Sequence, residues 1–225
     1  MMKIDRRFFQ TTFGLLVLFL SLQSVFGQRV VDKMVATVNA GVRTDLITYS
    51  DLLWQLALQP STPLDNPTSE DLNKALHLLI DQHLILQEAE KLPTLEPTAK
   101  EISDARDALA RNFATPTEFQ GRLQKVGLTS EKLDQILEQR LKMEKYLDFR
   151  FRNFVVISEK EVADYYRESF VPRFRTRFPG RIVPKLEEVS ARIERNLTES
   201  RIESDTDAFL DTARERAEIV MLSPV

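Results

Sequence analysis

The feature that most constrains this 225-residue chain is a helix-start signal that recurs five times from Thr68 onward. In each copy a Ser or Thr is followed three residues later by Asp or Glu, ahead of an apolar segment with helical spacing. The hydroxyl can accept a hydrogen bond from a free N–H of the first turn, and the acid can accept one from the cap residue. Five such starts predict an array of helices. The pairs are Thr68 with Asp71, Thr98 with Glu101, Thr115 with Glu118, Ser158 with Glu161, and Ser204 with Asp207.

Glycine is scarce, with six residues in the whole chain. This shortage disfavours sandwiches, barrels and phosphate-binding loops, which need left-handed or closely packed backbone. Pro116 suits the first position of a helix, and Gly127 suits a helix end. Together with the apolar spacing, these signals predict helices over residues 69–91, 98–113, 116–126, 130–151, 159–170, 184–198 and 205–216.

Segments near both ends of the chain have the character of β-strands. Residues 30–38 and 42–48 flank the turn sequence Asn39-Ala40-Gly41, which predicts a hairpin. Residues 217–222 follow a charged helix end and read as a strand, which needs a partner. We therefore expect the hairpin and the closing strand to meet in one sheet. The predicted fold class is mainly α, with a small antiparallel β-sheet.

The first 27 residues have the order of a secretory signal peptide. Three cations precede an apolar run over residues 13–22, and residues 25–27 offer a cleavage site. Ten residues rise about 15 Å as a helix, roughly half of the hydrocarbon core of a bilayer. We therefore predict export to the periplasm, by the general route or by a twin-arginine route that Arg6-Arg7 partly matches. An uncleaved leader that anchors the chain is the alternative.

The sequence offers little for catalysis or metal binding. Cysteine is absent, which excludes disulfides and thiol nucleophiles, and the net charge of −3 disfavours nucleic-acid binding. His77 and His83 are six residues apart on one predicted helix, so they lie on different faces and do not form an i, i+4 metal pair. No nucleotide-binding or serine-hydrolase motif is present. We predict no enzymatic activity, no cofactor and no metal site.

Four segments, taken in order, resemble one known family. They are Val31–Asn39 followed by Ile47–Leu52, then Leu78–Ala89, then Phe119 through Gly127-Leu128-Thr129, then Ile157–Tyr166. Their order and spacing are similar to the N-terminal domain of SurA-type periplasmic chaperones, over residues 30–170. Residues 186–222 resemble the closing helix and strand of that family.

The chain departs from the family after the fourth segment, which there leads into a parvulin-type prolyl isomerase domain. Here a short stretch of basic residues and prolines, 171–183, is all that precedes the closing segment. The interpretation is a signal peptide (1–27), a SurA-like N-terminal chaperone domain (28–170), a linker in place of the isomerase (171–183), and C-terminal helices and strand that complete the core (184–225).

The resemblance implies an ATP-independent periplasmic chaperone that binds unfolded outer-membrane or secreted clients through an apolar cradle. The alternative is a non-catalytic adaptor or structural subunit that binds one fixed partner in the cell envelope. No nucleic acid is expected as a partner, and membrane contact is expected only through an uncleaved leader. Both a monomer and a homodimer formed by helix exchange are compatible with the resemblance.

The candidates for client binding are large side chains of the apolar sets that we expect to be exposed. Each of them is also a candidate for the core, because the same side chains fill interiors. The candidate residues are Trp54, Leu58, Phe113, Phe119, Phe149, Phe154, Phe170 and Phe174.

Overall fold

Four of the five helix-start signals cap helices in the computed structural model of the chain, which describes residues 32–41 and 43–225. Thr68, Thr98 and Ser158 form complete capping boxes with the acid three residues on. At Thr115 the hydroxyl accepts a hydrogen bond from the Glu118 N–H. The local sequence therefore starts these helices before any tertiary contact is considered.

The mainly α fold class is confirmed, with a small three-stranded sheet. The predicted signal peptide lies outside the described residues.

Short 3-10 turns cover Pro93–Leu95 and Arg152–Phe154, and a π-helical stretch covers Tyr166–Phe170. The strands are β1 (Met34–Asn39), β2 (Thr44–Thr48) and β3 (Glu218–Met221), and the helices are α1 (Tyr49–Ala57), α2 (Ser69–Ala89), α3 (Ala99–Ala110), α4 (Pro116–Lys125), α5 (Ser130–Arg150), α6 (Glu159–Tyr165), α7 (Val171–Arg177) and α8 (Leu186–Arg216).

The fifth start signal, at Ser204, does not begin a helix. Residues 184–198 and 205–216 were predicted as separate helices, but α8 runs through both as one helix of 31 residues. No Gly or Pro interrupts the sequence between them. Ile202 is buried in the middle of the expected break, and the Thr198 hydroxyl donates to the Glu194 carbonyl inside the helix. Packing and helix-compatible residues therefore override the local cap signal.

The segment 171–183, predicted as a linker, is also partly helical. The helix α6 continues through the π-helical stretch into α7, and irregular backbone begins only after Arg177. Pro172 cannot donate a backbone hydrogen bond, and the wider π-helical turns lie directly before it. Aromatic rings spaced four residues apart also support the helix. Ring centroids are separated by 5.6 Å for Tyr166 and Phe170, 5.9 Å for Phe170 and Phe174, and 5.1 Å for Phe174 and Phe178.

The sheet joins the two ends of the described chain, as predicted. Its strand order is β2-β1-β3, and both pairings are antiparallel. Opposite residues in β1 and β3 include Ala36 with Met221 and Val38 with Ile219. The Leu222 N–H extends the pairing by donating to the Val35 carbonyl at 2.8 Å. The first strand is therefore the middle strand, and the sheet is complete only when the last strand is in place.

The buried side chains of the residues that the structure describes form three clusters. The largest lies between the sheet and the helices α1, α2, α5 and the end of α8, with Leu76 and Leu84 of α2 fully buried. The second is built by α3, α4 and α5 with residues from the end of α1. The third is small and joins α6 to the first half of α8 through Val162 and Ile193. The central position of α2 fits a helix that carries apolar side chains on most sides.

A buried polar group fastens α2 to the hairpin. The Gln87 side chain is fully buried, and its Oε1 accepts from the Ala40 N–H at 3.0 Å. Its Nε2 donates to the Val38 carbonyl at 3.2 Å and to Asp45 Oδ2 at 2.8 Å. The same Asp45 oxygen lies 3.2 Å from His83 Nδ1. These bonds satisfy polar groups that would otherwise be buried without partners.

Arg122 of α4 closes the end of α1. Its Nε donates to the Ala57 carbonyl at 3.0 Å, and its Nη2 donates to the Leu56 carbonyl at 2.9 Å. The last carbonyls of a helix have no partner within the helix, so a cation in this place satisfies them and interacts favourably with the helix dipole. The second cluster is therefore held to α1 by polar contacts as well as by apolar packing.

No helix within residues 32–41 and 43–225 has the combination of length and apolar character that crossing a bilayer requires.

Removing β3 should destabilise the hairpin at the other end of the chain. A chain that stops after Arg216 exposes the backbone groups of β1 and removes the side chain of Ile219, which packs on the main core. We expect its thermal midpoint to fall by at least about 4–8 °C, a loss of about 2 kcal/mol for a chain of this size. Scanning calorimetry measures the midpoint, and hydrogen exchange measures protection of the β1 amides. A chain that stops after Leu222 is the control, and an unchanged midpoint after the longer deletion would contradict the sheet pairing.

The stability of the fold should depend on the protonation of His83. Burial lowers the pKa of His83 below its usual 6.5, although Asp45 opposes the shift, whereas His77 is exposed. Because the unfolded chain then takes up the proton first, His83 contributes stability at neutral pH that is lost as the pH falls from 6.5 toward the pKa in the folded chain. Urea unfolding between about pH 7 and pH 5 should show a smaller loss of stability in His83→Gln than in His77→Gln. An equal dependence of the free energy of unfolding on pH in the two variants would contradict the role assigned to His83.

Candidate functional site

An open cleft of about 1100 Å³ lies between the end of α5 and the second half of α8. Its floor is formed by α2 and the residue after β1, where Leu84 and Ala40 face the cavity. The chain leaves α5 at Phe151, makes the 3-10 turn, and continues past Val155 and Val156 along the rim. A cleft of this size can bury a substantial part of a peptide-sized ligand.

Aromatic rings form the inner wall of the cleft. Tyr146 is buried, and its ring centroid lies 6.2 Å from that of Phe209 on the opposite helix. The Phe151 and Phe209 centroids are 6.0 Å apart in an edge-on arrangement. Burial raises the pKa of the Tyr146 hydroxyl, and the nearby Glu88 adds to the effect. The wall is therefore apolar, with a phenol that keeps its proton at neutral pH.

The rim of the cleft carries the most exposed large apolar side chains in this region. Phe154 is 75% exposed and Val156 is 85% exposed, and both line the cavity. Exposed apolar side chains that adjoin a cavity mark binding sites more often than isolated ones do.

Charges of both signs alternate with the apolar groups. Arg150, Arg201 and Arg216 line the cleft together with Glu88 and Asp205. The Arg150 guanidinium carbon lies 5.8 Å from the centroid of the Phe151 ring, within the range of a cation–π contact. A lining of this kind can take up an extended polypeptide, because its apolar side chains meet the wall and its polar groups meet the rim.

Two arginine forks set the position of α8 relative to the rest of the cleft. Arg214 of α8 donates to both carboxylate oxygens of Asp81 on α2, at 2.8 Å and 2.7 Å. Arg152, in the turn after α5, donates to both oxygens of Glu199 on α8, at 2.7 Å and 3.2 Å. Bidentate pairs fix orientation as well as distance. One fork therefore fastens the floor of the cleft and the other bridges its two walls.

Three of the eight residues predicted to bind clients are part of the core. Leu58, Phe113 and Phe119 are almost fully buried in the second cluster, and the two phenylalanine rings lie 5.0 Å apart. The structure therefore places these three side chains in the core, covered by the protein's own helices, and none of them lines the cleft.

The other five predicted residues lie in separate places. Phe154 lines the cleft, while Phe149 is half exposed outside it. Phe170 and Phe174 belong to the row of adjacent aromatic rings along the π-helical stretch and α7. Trp54 packs against the second cluster, and its Nε1 donates to the Val126 carbonyl at 3.1 Å. The structure therefore brings only Phe154 of the predicted set to the cleft.

Sequence reasoning missed the residues that form most of the cleft. Phe151 stands at the end of a predicted helix, Phe209 lies inside another, and Tyr146 lies one turn before the end of α5. Aromatic residues on two predicted helices were the available signal. It was not sufficient, because no local pattern indicates that these parts of the two helices face each other.

No group of three or more His, Asp or Glu side chains within the described residues is arranged to hold a metal ion.

No family model and no curated protein sequence matches the chain.

A neutral apolar dye should bind the cleft through Phe154. Replacing Phe154 with Ser removes a ring that is open to the cavity, so we expect the affinity for Nile red to fall about fivefold, corresponding to about 1 kcal/mol of lost apolar contact. Phe149→Ser is the matched control, because Phe149 is exposed but does not line the cleft. Fluorescence titration measures both variants, and equal losses would show that the dye does not distinguish the cleft from other apolar surface.

Proposed function

We propose that this chain is an ATP-independent chaperone of the cell envelope that holds unfolded client polypeptides in the cleft between α5 and α8. The observation that carries the proposal is the combination of an aromatic inner wall with the exposed rim residues Phe154 and Val156 in one open cavity. The order of sequence segments that resembles SurA-type chaperones supports the same function. The leader sequence supports a periplasmic location.

The cleft has the properties that weakly selective binding needs. Its apolar wall offers contact area without a deep specificity pocket, and its charges have both signs, so no single client charge is strongly rejected. Binding by apolar area is non-directional and roughly proportional to the area removed from water. Clients of different sequence can therefore bind and leave without an energy source.

In this proposal the chain holds its clients and does not isomerise their prolines. Residues 171–177 form a helix that continues from the π-helical stretch, and Pro184 lies beside the start of α8. The Tyr166 hydroxyl donates to the Pro184 carbonyl at 2.7 Å, which ties the π-helical stretch to the segment just before α8. The proposed clients are unfolded outer-membrane and secreted polypeptides that pass through the periplasm.

The test is suppression of aggregation of several unrelated unfolded proteins, one of the outer-membrane type, at low and high salt. Raising the salt from about 0.05 M to about 1 M shortens the screening length from over 10 Å to about 3 Å. Because apolar burial is not screened in this way, we expect protection to persist in high salt. Protection should weaken in Phe154→Ser and remain in Phe149→Ser.

A parallel variant with Gln at Arg173, Arg175, Arg177 and Arg181 tests electrostatic capture by the basic segment instead. Protection that disappears both in high salt and in this Gln variant would contradict binding in the cleft. Protection of one protein alone, with no effect on the others, would replace the chaperone by an adaptor with a fixed partner.

A further inference from the structure

A second, smaller cavity of about 170 Å³ lies between α1, α2 and α5, and it shares no lining residue with the cleft. Apolar side chains including Leu86, Ile136 and Met143 form much of its lining, and Trp54 adds an indole face. An apolar cavity of about 150 Å³ is large enough to bind benzene. This cavity therefore accommodates a group of that size.

A cation without a counterion lines this cavity. Arg140 of α5 donates from Nη2 to the Oε1 of the buried Gln55 at 2.7 Å, while its Nε is shielded from solvent and has no hydrogen-bond partner. No carboxylate of the described residues forms an ion pair with Arg140. Loss of solvent lowers the pKa of the guanidinium. Charged groups in such places are normally paired, because an isolated buried charge is unfavourable.

The other charges around the cavity do not neutralise Arg140. The lining acid Asp51 forms no ion pair with Arg140, and its Oδ2 accepts from both the N–H and the hydroxyl of Thr48, at 2.9 Å and 2.8 Å. The lining His83 faces Asp45, as described above. A second cation, Lys132, lies two helical turns before Arg140, with Nζ 5.2 Å from the Trp54 ring. The cavity therefore carries an excess of positive charge beside an apolar wall.

We propose that this cavity binds a carboxylate attached to a benzene-sized apolar group, with Arg140 as the partner of the carboxylate. A guanidinium forms strong, charge-assisted hydrogen bonds with carboxylates, and Arg140, which lines the cavity, has a hydrogen bond to Gln55 but no carboxylate partner among the described residues. The apolar group fills the space beside Ile136 and Met143. A free organic acid and the C-terminal residue of a polypeptide share this chemistry. The site stands apart from the cleft, so it does not depend on chaperone activity.

The intrinsic tryptophan fluorescence of the protein can report ligand binding in this cavity, since Trp54 is the only tryptophan and lines the wall. Titration with sodium benzoate should change the tryptophan fluorescence in a saturable way, with a dissociation constant of about 1 mM or lower. Benzamide has nearly the same shape and no charge, and it should bind at least tenfold more weakly. The absence of a saturable change with benzoate would overturn the proposal.

Arg140→Gln removes the charge and keeps an amide that can still donate to Gln55. We expect this variant to lose at least tenfold in benzoate affinity, while Arg195→Gln, at an exposed position on α8, keeps the wild-type affinity. Equal affinity in Arg140→Gln and wild type would overturn the assignment of Arg140. If circular dichroism shows that Arg140→Gln is unfolded, Ile136→Phe replaces it. This variant fills the cavity with no change of charge, and it should abolish binding; retained binding would overturn the site.

The two sources of the ligand are separated by comparing N-acetylphenylalanine with a longer peptide that ends in phenylalanine. Tighter binding of the peptide assigns the site to polypeptide C-termini, and equal or tighter binding of the small acid assigns it to free organic acids. The same peptide with an amidated C-terminus should bind at least tenfold more weakly. Equal binding of the amide would overturn carboxylate recognition.

Discussion

The pairing of β1 with β3 is the constraint on which the rest of the structure depends. The first strand of the described chain is the middle strand of the sheet, and Val35, Ala36 and Val38 are all fully buried. Its second neighbour comes from the end of the chain. The long helix α8 must therefore return to the sheet, and its second half is brought beside α2 and α5. The cleft exists because α8 is held at this end by the strand that follows it.

Polar contacts fix the orientation of elements that the apolar clusters alone do not orient. The interior packs around α2, but apolar packing alone does not select one orientation of the hairpin, of α4 or of α8. Gln87 binds the backbone of the hairpin, Arg122 binds the last carbonyls of α1, and Arg214 binds Asp81. Each contact joins polar groups from two different elements, and hydrogen bonds are directional. The positions of the elements around both cavities follow from these contacts.

The two cavities differ in their electrostatics, and this difference separates the ligands proposed for them. The cleft is open, and its lining arginines stand among carboxylates such as Glu88 and Asp205. The smaller cavity is narrow, and the charge of Arg140 has no carboxylate partner among the described residues. An open surface with charges of both signs suits many weakly bound chains. An unpaired cation beside an apolar wall suits one chemical group.

The sequence by itself determined the features that depend on neighbouring residues. Most helix starts follow from a hydroxyl and an acid three positions apart, because a cap needs only the first turn of its own helix. The closing sheet was also predictable, since the strand at the end of the chain had one predicted partner. Ser204 shows the limit of such signals: its acid was correctly spaced, but continuous helix and the burial of Ile202 prevailed.

Only the tertiary structure decided which aromatic residues meet a ligand. Phe119 and Phe154 belong to the same residue type, yet one lies in the second cluster and the other stands at the rim of the cleft. Likewise, nothing in the residues around Arg140 states that its closest polar partner is an amide from α1. Burial and charge pairing depend on contacts between segments that are distant in the chain. A local pattern specifies which face of a helix is apolar, but the fold alone specifies what covers that face.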